Sequence, residues 1–151
     1  MNKLSRKRRL RWLLYWLWQW TWGLPQNLVG AVLALLIPGR RELRGGALVT
    51  WYPKGKLHGG GLSMGMFLFV PEESSEGERI CVHEYGHTVQ SLVFGPTYGL
   101  FVGLPSMLRA ARFNRMDRRG TPTKEKYSGR WPENGANRMG ERFLGGKAID
   151  W

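Results

Sequence analysis

Residues 78–94 read ERICVHEYGHTVQSLVF, a segment preceded by the polar run Glu72 to Gly77 and ended by Gly95-Pro96. A single helix is expected between those boundaries. Ser75 and Glu78 have the spacing of a capping box, which puts the helix start near Glu76. Within it, His83 and His87 lie four residues apart and share one face. His83-Glu84-Tyr85-Gly86-His87 is therefore an H-E-x-x-H pattern, in which two imidazoles converge on one metal ion. Glu84 sits one step round the helix, placed to reach a metal-bound water instead of the metal. Cys81, two residues before His83, faces away from both ligands and is expected to be a packed core thiol.

The metal expected for this donor set is Zn2+, which lowers the pKa of a bound water from about 15.7 to about 7. Glu84 would take the proton from that water and pass it to the leaving amine. Catalytic zinc takes three protein ligands and keeps one open position. His58, Asp117, Glu125, Glu133, Glu141 and Asp150 are the remaining candidates. Glu133 is preferred. It follows Trp131-Pro132, and proline suits the first turn of a helix. Ala136 and Asn137 share its face: the small Ala136 allows close packing on the motif helix, and Asn137 can orient a ligand from behind.

This combination resembles the zincin metallopeptidases, in particular the branch where a glutamate on a second helix completes the site. The resemblance implies His83, His87 and Glu133 as metal ligands, Glu84 as base and acid, and peptide-bond hydrolysis. It also gives the glycine-rich strand near Leu62 to Phe69 the part of an edge that pairs with extended substrate. The thermolysin-like pattern has an aspartate four residues after the ligand glutamate, where this chain has Asn137. His58, Tyr98 and Tyr127 are the candidates for stabilising an oxyanion. The longer run HEYGHTVQSLVFGP (83–96), with GLPQ at 23–26 and ENGAN at 133–137, is also similar to small uncharacterised bacterial membrane proteins.

Upstream of the motif, Ala47 to Tyr52 (ALVTWY) and Leu62 to Val70 (LSMGMFLFV) are rich in strand formers. Lys54-Gly55-Lys56 reads as a turn, and Gly59 to Gly61 as a bulge or a close backbone approach. A small antiparallel sheet is expected to precede the helix.

The N-terminal stretch has a different character. Residues 1–11 carry six basic side chains and no acid, and no charged residue follows from Trp12 to Gly39. The blocks Trp12 to Trp22 and Leu28 to Ile37 are apolar, and each would be about 15 Å long as a helix, roughly half a bilayer. They could span once as a kinked transmembrane helix, or return as a hairpin. Five tryptophans between Trp12 and Trp22 favour the headgroup level instead, so an interfacial anchor is the preferred reading. A signal peptide would need a small-residue cleavage site, and none is convincing.

The net charge of +12 comes from that arm and from residues 109–130, which carry eight basic residues against Asp117 and Glu125. Such patches suit anionic lipid. No nucleic-acid-binding motif accompanies them, so nucleic acid is not an expected partner. One cysteine excludes a disulfide framework. The segment Leu100 to Leu108 suits either a membrane contact or the core.

The expectation is thus an α+β, zincin-like protein: a basic arm and membrane anchor over 1–39, and a metal-binding domain over 40–151. Its expected activity is zinc-dependent peptide hydrolysis at a bacterial cytoplasmic membrane, with membrane lipids and a peptide or protein substrate as partners. The alternative is a non-catalytic, metal-stabilised membrane or interaction protein of the same fold.

Overall fold

A computed structural model describes residues 3–53, 60–121 and 125–150. His58, the Lys54-Gly55-Lys56 turn and Gly59 lie outside the described residues. Helices α1 (Lys3–Thr21) and α2 (Leu24–Leu36) come first, then strands β1 (Arg40–Arg44), β2 (Ala47–Tyr52), β3 (Leu62–Met64) and β4 (Phe67–Pro71). The motif helix α3 (Gly77–Phe94) follows, then α4 (Leu104–Arg118) and α5 (Glu133–Phe143). A 3-10 turn at Gly95–Thr97 and a wide π turn at Gly99–Gly103 lead from α3 into α4.

The expected α+β class holds, and the sheet differs from the expected one. It has four strands in the order β1-β2-β4-β3 and is mixed, because β2 and β4 run parallel. The apolar run Leu62 to Val70 is a hairpin and not a single strand. Gly65, at a φ of +61°, takes the turn between β3 and β4, and a Cβ there would lie 2.0 Å from Asn27 Oδ1. Strand β1 (RRELR) escapes an apolar-pattern search because it is an exposed edge. Gly45 and Gly46, both at positive φ, join it to β2 in a two-residue hairpin. The Ser75–Glu78 capping box does not form. Instead the Ser74 hydroxyl accepts from the Glu76 N–H, and the Glu78 carboxylate is drawn off to Arg44.

Alternation along the central strands divides the core in two. Ala47, Val49, Trp51, Leu68 and Val70 face α3, where Ile80, Cys81 and Tyr85 meet them. Tyr52, Phe67 and Phe69 face the other way, toward Ala34 and Ile37 at the end of α2. Cys81 is thus a core residue, and burial pushes its thiol up to about 12. Helix α5 lies on α3 so closely that backbone meets backbone. A Cβ on Gly86 would sit 1.8 Å from Ala136 O, and one on Gly140 would sit 1.9 Å from Val82 O.

Helices α1 and α2 have their polarity reversed. On α2 the buried positions are Gln26, Asn27, Gly30 and Ala34, while Leu24, Leu28, Val29, Val32, Leu35 and Leu36 are exposed. Gln19 of α1 is fully buried, and Leu13, Leu14, Trp16, Leu17 and Trp18 are exposed. The buried amides are satisfied. Gln26 donates to Ser91 Oγ and Gly95 O, and Asn27 donates to Gln19 Oε1 and accepts from the Met66 N–H. Among the described residues, no helix is long and apolar enough to cross a membrane.

Two outcomes test this packing. Gly86→Ala should cost about 3 kcal/mol, the upper end for overpacking, because backbone and not a mobile side chain blocks the methyl. At about 2–4 °C per kcal/mol for a chain of this size, thermal unfolding should begin roughly 10 °C lower. Cys81 should resist thiol reagents at neutral pH and react only with unfolding, as quantitative alkylation against denaturant will read.

Candidate metal centre

Two helices build the site. His83, Glu84 and His87 come from the middle of α3, and Glu133 is the first residue of α5. The glycine contacts at 86 and 140 bring the helices close enough for side chains only one turn long to meet. His83 Nε2 lies 3.1 Å and His87 Nε2 lies 3.2 Å from the same Glu133 Oε2. The imidazole rings stand nearly perpendicular, with centroids 4.9 Å apart. All three side chains are buried, and Glu133 is wholly so.

The far side of each imidazole is fixed. His83 Nδ1 lies 2.6 Å from Asn137 Oδ1, and His87 Nδ1 lies 2.7 Å from Gln90 Oε1. Each amide is itself oriented, since Asn137 donates to Ile149 O and Gln90 donates to Pro132 O, both at 2.9 Å. The oxygens therefore face the imidazoles, so each Nδ1 carries the hydrogen and each Nε2 presents a lone pair. Two lone pairs and a carboxylate oxygen then converge on one buried point. Such a meeting is repulsive until a cation enters it.

Glu133 supports the same conclusion. Its Oε1 is buried with no hydrogen bond of ordinary geometry, though the Ser106 and Tyr127 hydroxyls lie near enough to act on the carboxylate. The His–Glu separations also match the edge of about 3.3 Å expected for a tetrahedron with bonds of roughly 2.0–2.1 Å. This buried group can hold a metal ion.

Glu84 lies beneath β3. A Cβ on Gly61 would come within 2.4 Å of Glu84 Oε1, so the glycine makes room for the carboxylate. Burial pushes the Glu84 carboxyl up to about 7, with His83 opposing the rise and Glu133 adding to it. The Ser63 hydroxyl lies near enough to act on both Glu84 and the buried Tyr98, whose phenol burial holds above its ordinary value. Tyr127 is raised by burial too, and the Glu133 charge adds to the effect.

No family model, curated protein or solved structure matches this chain. The geometry sorts the sequence candidates by itself. His83, His87 and Glu133 come together, with Glu84, Tyr98 and Tyr127 around them. The other acids are engaged elsewhere or lie on the surface. Glu125 pairs with Arg109 and Arg130, Asp150 accepts from Ser128, Glu141 accepts from the Ala148 N–H, and Asp117 is exposed. Sequence reasoning missed Gln90, Ser63 and Ser106. For Gln90 a signal existed, because it stands three residues after His87 and shares its face.

The two amides supply a prediction. Gln90→Ala and Asn137→Ala should each weaken metal affinity by roughly 10- to 100-fold, the usual effect of losing a partner behind a ligating histidine. Competition with a chelating indicator will measure it, with the fold monitored by circular dichroism.

Proposed function

We propose that this protein is a membrane-associated zinc metallopeptidase. The observation that carries the reading is the convergence of His83, His87 and Glu133, with their proton positions fixed by two amides, beside a buried glutamate of raised pKa. A buried set of two imidazoles and one carboxylate is a donor set that suits zinc. When bound, zinc would supply Lewis-acid polarisation and an ionised water at neutral pH.

The chain's own residues would do the rest. Glu84, with a pKa near 7, is suited both to accept a proton from the attacking water and to return it to the amine. Ser63 stands beside its carboxylate and favours the ionised form. Tyr98 and Tyr127 offer phenol donors beside the same buried cluster, where charge would build on a tetrahedral oxyanion. Edge strand β3 runs over Glu84 and could pair with an extended peptide, the arrangement that the zincin likeness leads one to expect.

Support for the membrane part comes from the reversed polarity of α1 and α2. Soluble helices bury their apolar stripe, whereas α2 buries amides and exposes leucine and valine, with Leu35 at 83% exposure. Exposed apolar surface on this scale marks an interaction face. Helices that are not individually long and apolar enough to cross can lie in the interface, with their exposed leucines, valines and tryptophans at the acyl boundary.

The mechanism makes separable demands. One zinc per chain should be retained by Glu84→Gln, while turnover of a peptide substrate falls by about 10²–10⁴, the range for a lost general base. His87→Ala and Glu133→Ala should lose the metal as well. Elemental analysis beside a peptide-library assay checks both, and unchanged hydrolysis by Glu84→Gln would remove Glu84 from the chemistry. Stoichiometric zinc with no hydrolysis in the wild type would favour the metal-stabilised, non-catalytic alternative.

A further inference from the structure

The stretch Leu100 to Leu108 suits two readings in the sequence, membrane contact or core, and it lies in the π turn and the first turns of α4. The segment from that turn through α4 is divided lengthwise. Val102 is buried, and Gly103, Pro105, Ser106, Arg109, Ala110 and Phe113 are partly buried and face the protein. Leu100, Phe101, Leu104, Met107 and Leu108 are exposed, Met107 at 65%. Their spacing of three and four residues draws a single stripe along one side. Continued past Leu108, the same stripe meets Arg112, Arg115 and Arg119, all exposed. One helical face thus changes from apolar to basic halfway along.

The opposite face of this segment is a wall of the metal centre. The Ser106 hydroxyl lies close to the Glu133 carboxylate, and Tyr98, just before the π turn, lies close to Ser63 and near Glu84. One side of the wall touches the site, and the other carries the apolar stripe.

We propose that the π turn and α4 form a second lipid-docking element, seated on an anionic bilayer with Leu100, Phe101, Leu104, Met107 and Leu108 in the acyl boundary and Arg112, Arg115 and Arg119 at the headgroups. The occupant follows from the charge pattern. A protein partner could cover the leucines, but a run of arginines continuing the same stripe complements a surface whose outer layer is phosphate. The proposal rests on the membrane association argued above and deepens it. With α4 docked, the metal centre lies one helix away from lipid, so the substrate class it favours is a peptide segment held at the bilayer surface.

The test uses the full chain in vesicles of phosphatidylcholine with about one-third phosphatidylglycerol, which makes the surface anionic. An environment-sensitive fluorophore is placed on Met107→Cys, on Val32→Cys in α2, or on Glu73→Cys near the opposite end of α3. Buried Cys81 does not compete for the label. Doxyl-lipid quenching at 107 and 32, with iodide quenching confined to 73, is the expected result. Quenching by lipid at 32 but by iodide at 107 overturns the docking of α4 and leaves the N-terminal anchor standing. Iodide quenching at both positions sinks the membrane reading as well. Shielding of 107 from both quenchers means that protein covers the stripe, which also overturns the proposal. In the Arg112→Gln/Arg115→Gln double variant, the docked-to-undocked ratio at 107 should fall roughly 30-fold, the equivalent of about 1 kcal/mol for each arginine. An unchanged ratio refutes the anionic surface as the occupant.

Discussion

Everything at the metal centre depends on the backbone contact between α3 and α5. Ordinary helix pairs stand 8–10 Å apart, held off by their side chains. Here Gly86 meets the Ala136 carbonyl and Gly140 meets the Val82 carbonyl, with no room for a methyl group at either place. Only at that spacing can Glu133, starting from the first turn of α5, reach both Nε2 atoms with a single oxygen. The glycines that weaken α5 as an isolated helix are therefore what allow it to deliver a ligand. Intrinsic propensity yields to packing, as it usually does within a tertiary structure.

The same site is braced from outside by elements remote in sequence. The Asn137 amide is oriented by Ile149 O, and the tail around Ile149 is tied to α3 by its N–H to Arg79 O. Gln90 is oriented by Pro132 O, at the entry to α5. Gln26 on α2 bonds Ser91 and Gly95 near the end of α3, so the inverted N-terminal helices are joined to the motif helix through buried amides. A buried amide left without partners would cost about 1–3 kcal/mol, so these contacts fix positions more than they add stability.

Much of the site was legible because its geometry is local. His83, Glu84 and His87 lie within two turns of one helix, so spacing alone places them, and Pro132 with Ala136 pointed to the second helix. The α+β class followed from strand-forming runs ahead of a helix. What was not legible depended on long-range pairing. Strand β1 is charged because it is an edge, and edges need no apolar alternation. The parallel partnership of β2 and β4 is set by where the chain returns, which no run of residues states. The capping box failed because Arg44, distant in sequence, competes for Glu78. Ser63 and Ser106 carry no periodic signal; they matter only because β3 and α4 pass on either side of the site.

Asn137 stands where the thermolysin-like pattern has an aspartate, and charge gives a reason why an amide can serve. Fixing the tautomer of His83 needs an acceptor at Nδ1, and an amide oxygen supplies one without a charge. Two carboxylates, Glu84 and Glu133, already lie in the buried cluster. A divalent ion would balance Glu133 and an ionised Glu84, whereas a third carboxylate behind His83 would leave a net negative charge in a water-poor interior, which is costly. The amide also lends the imidazole less electron density than a carboxylate would, so the ion would remain a stronger Lewis acid. The departure at this position is thus compatible with a site that holds a metal ion, with orientation secured by other means. Ile149 secures it, and the burial of that residue against α3 explains how a tail with no chemistry of its own enters the construction of the site.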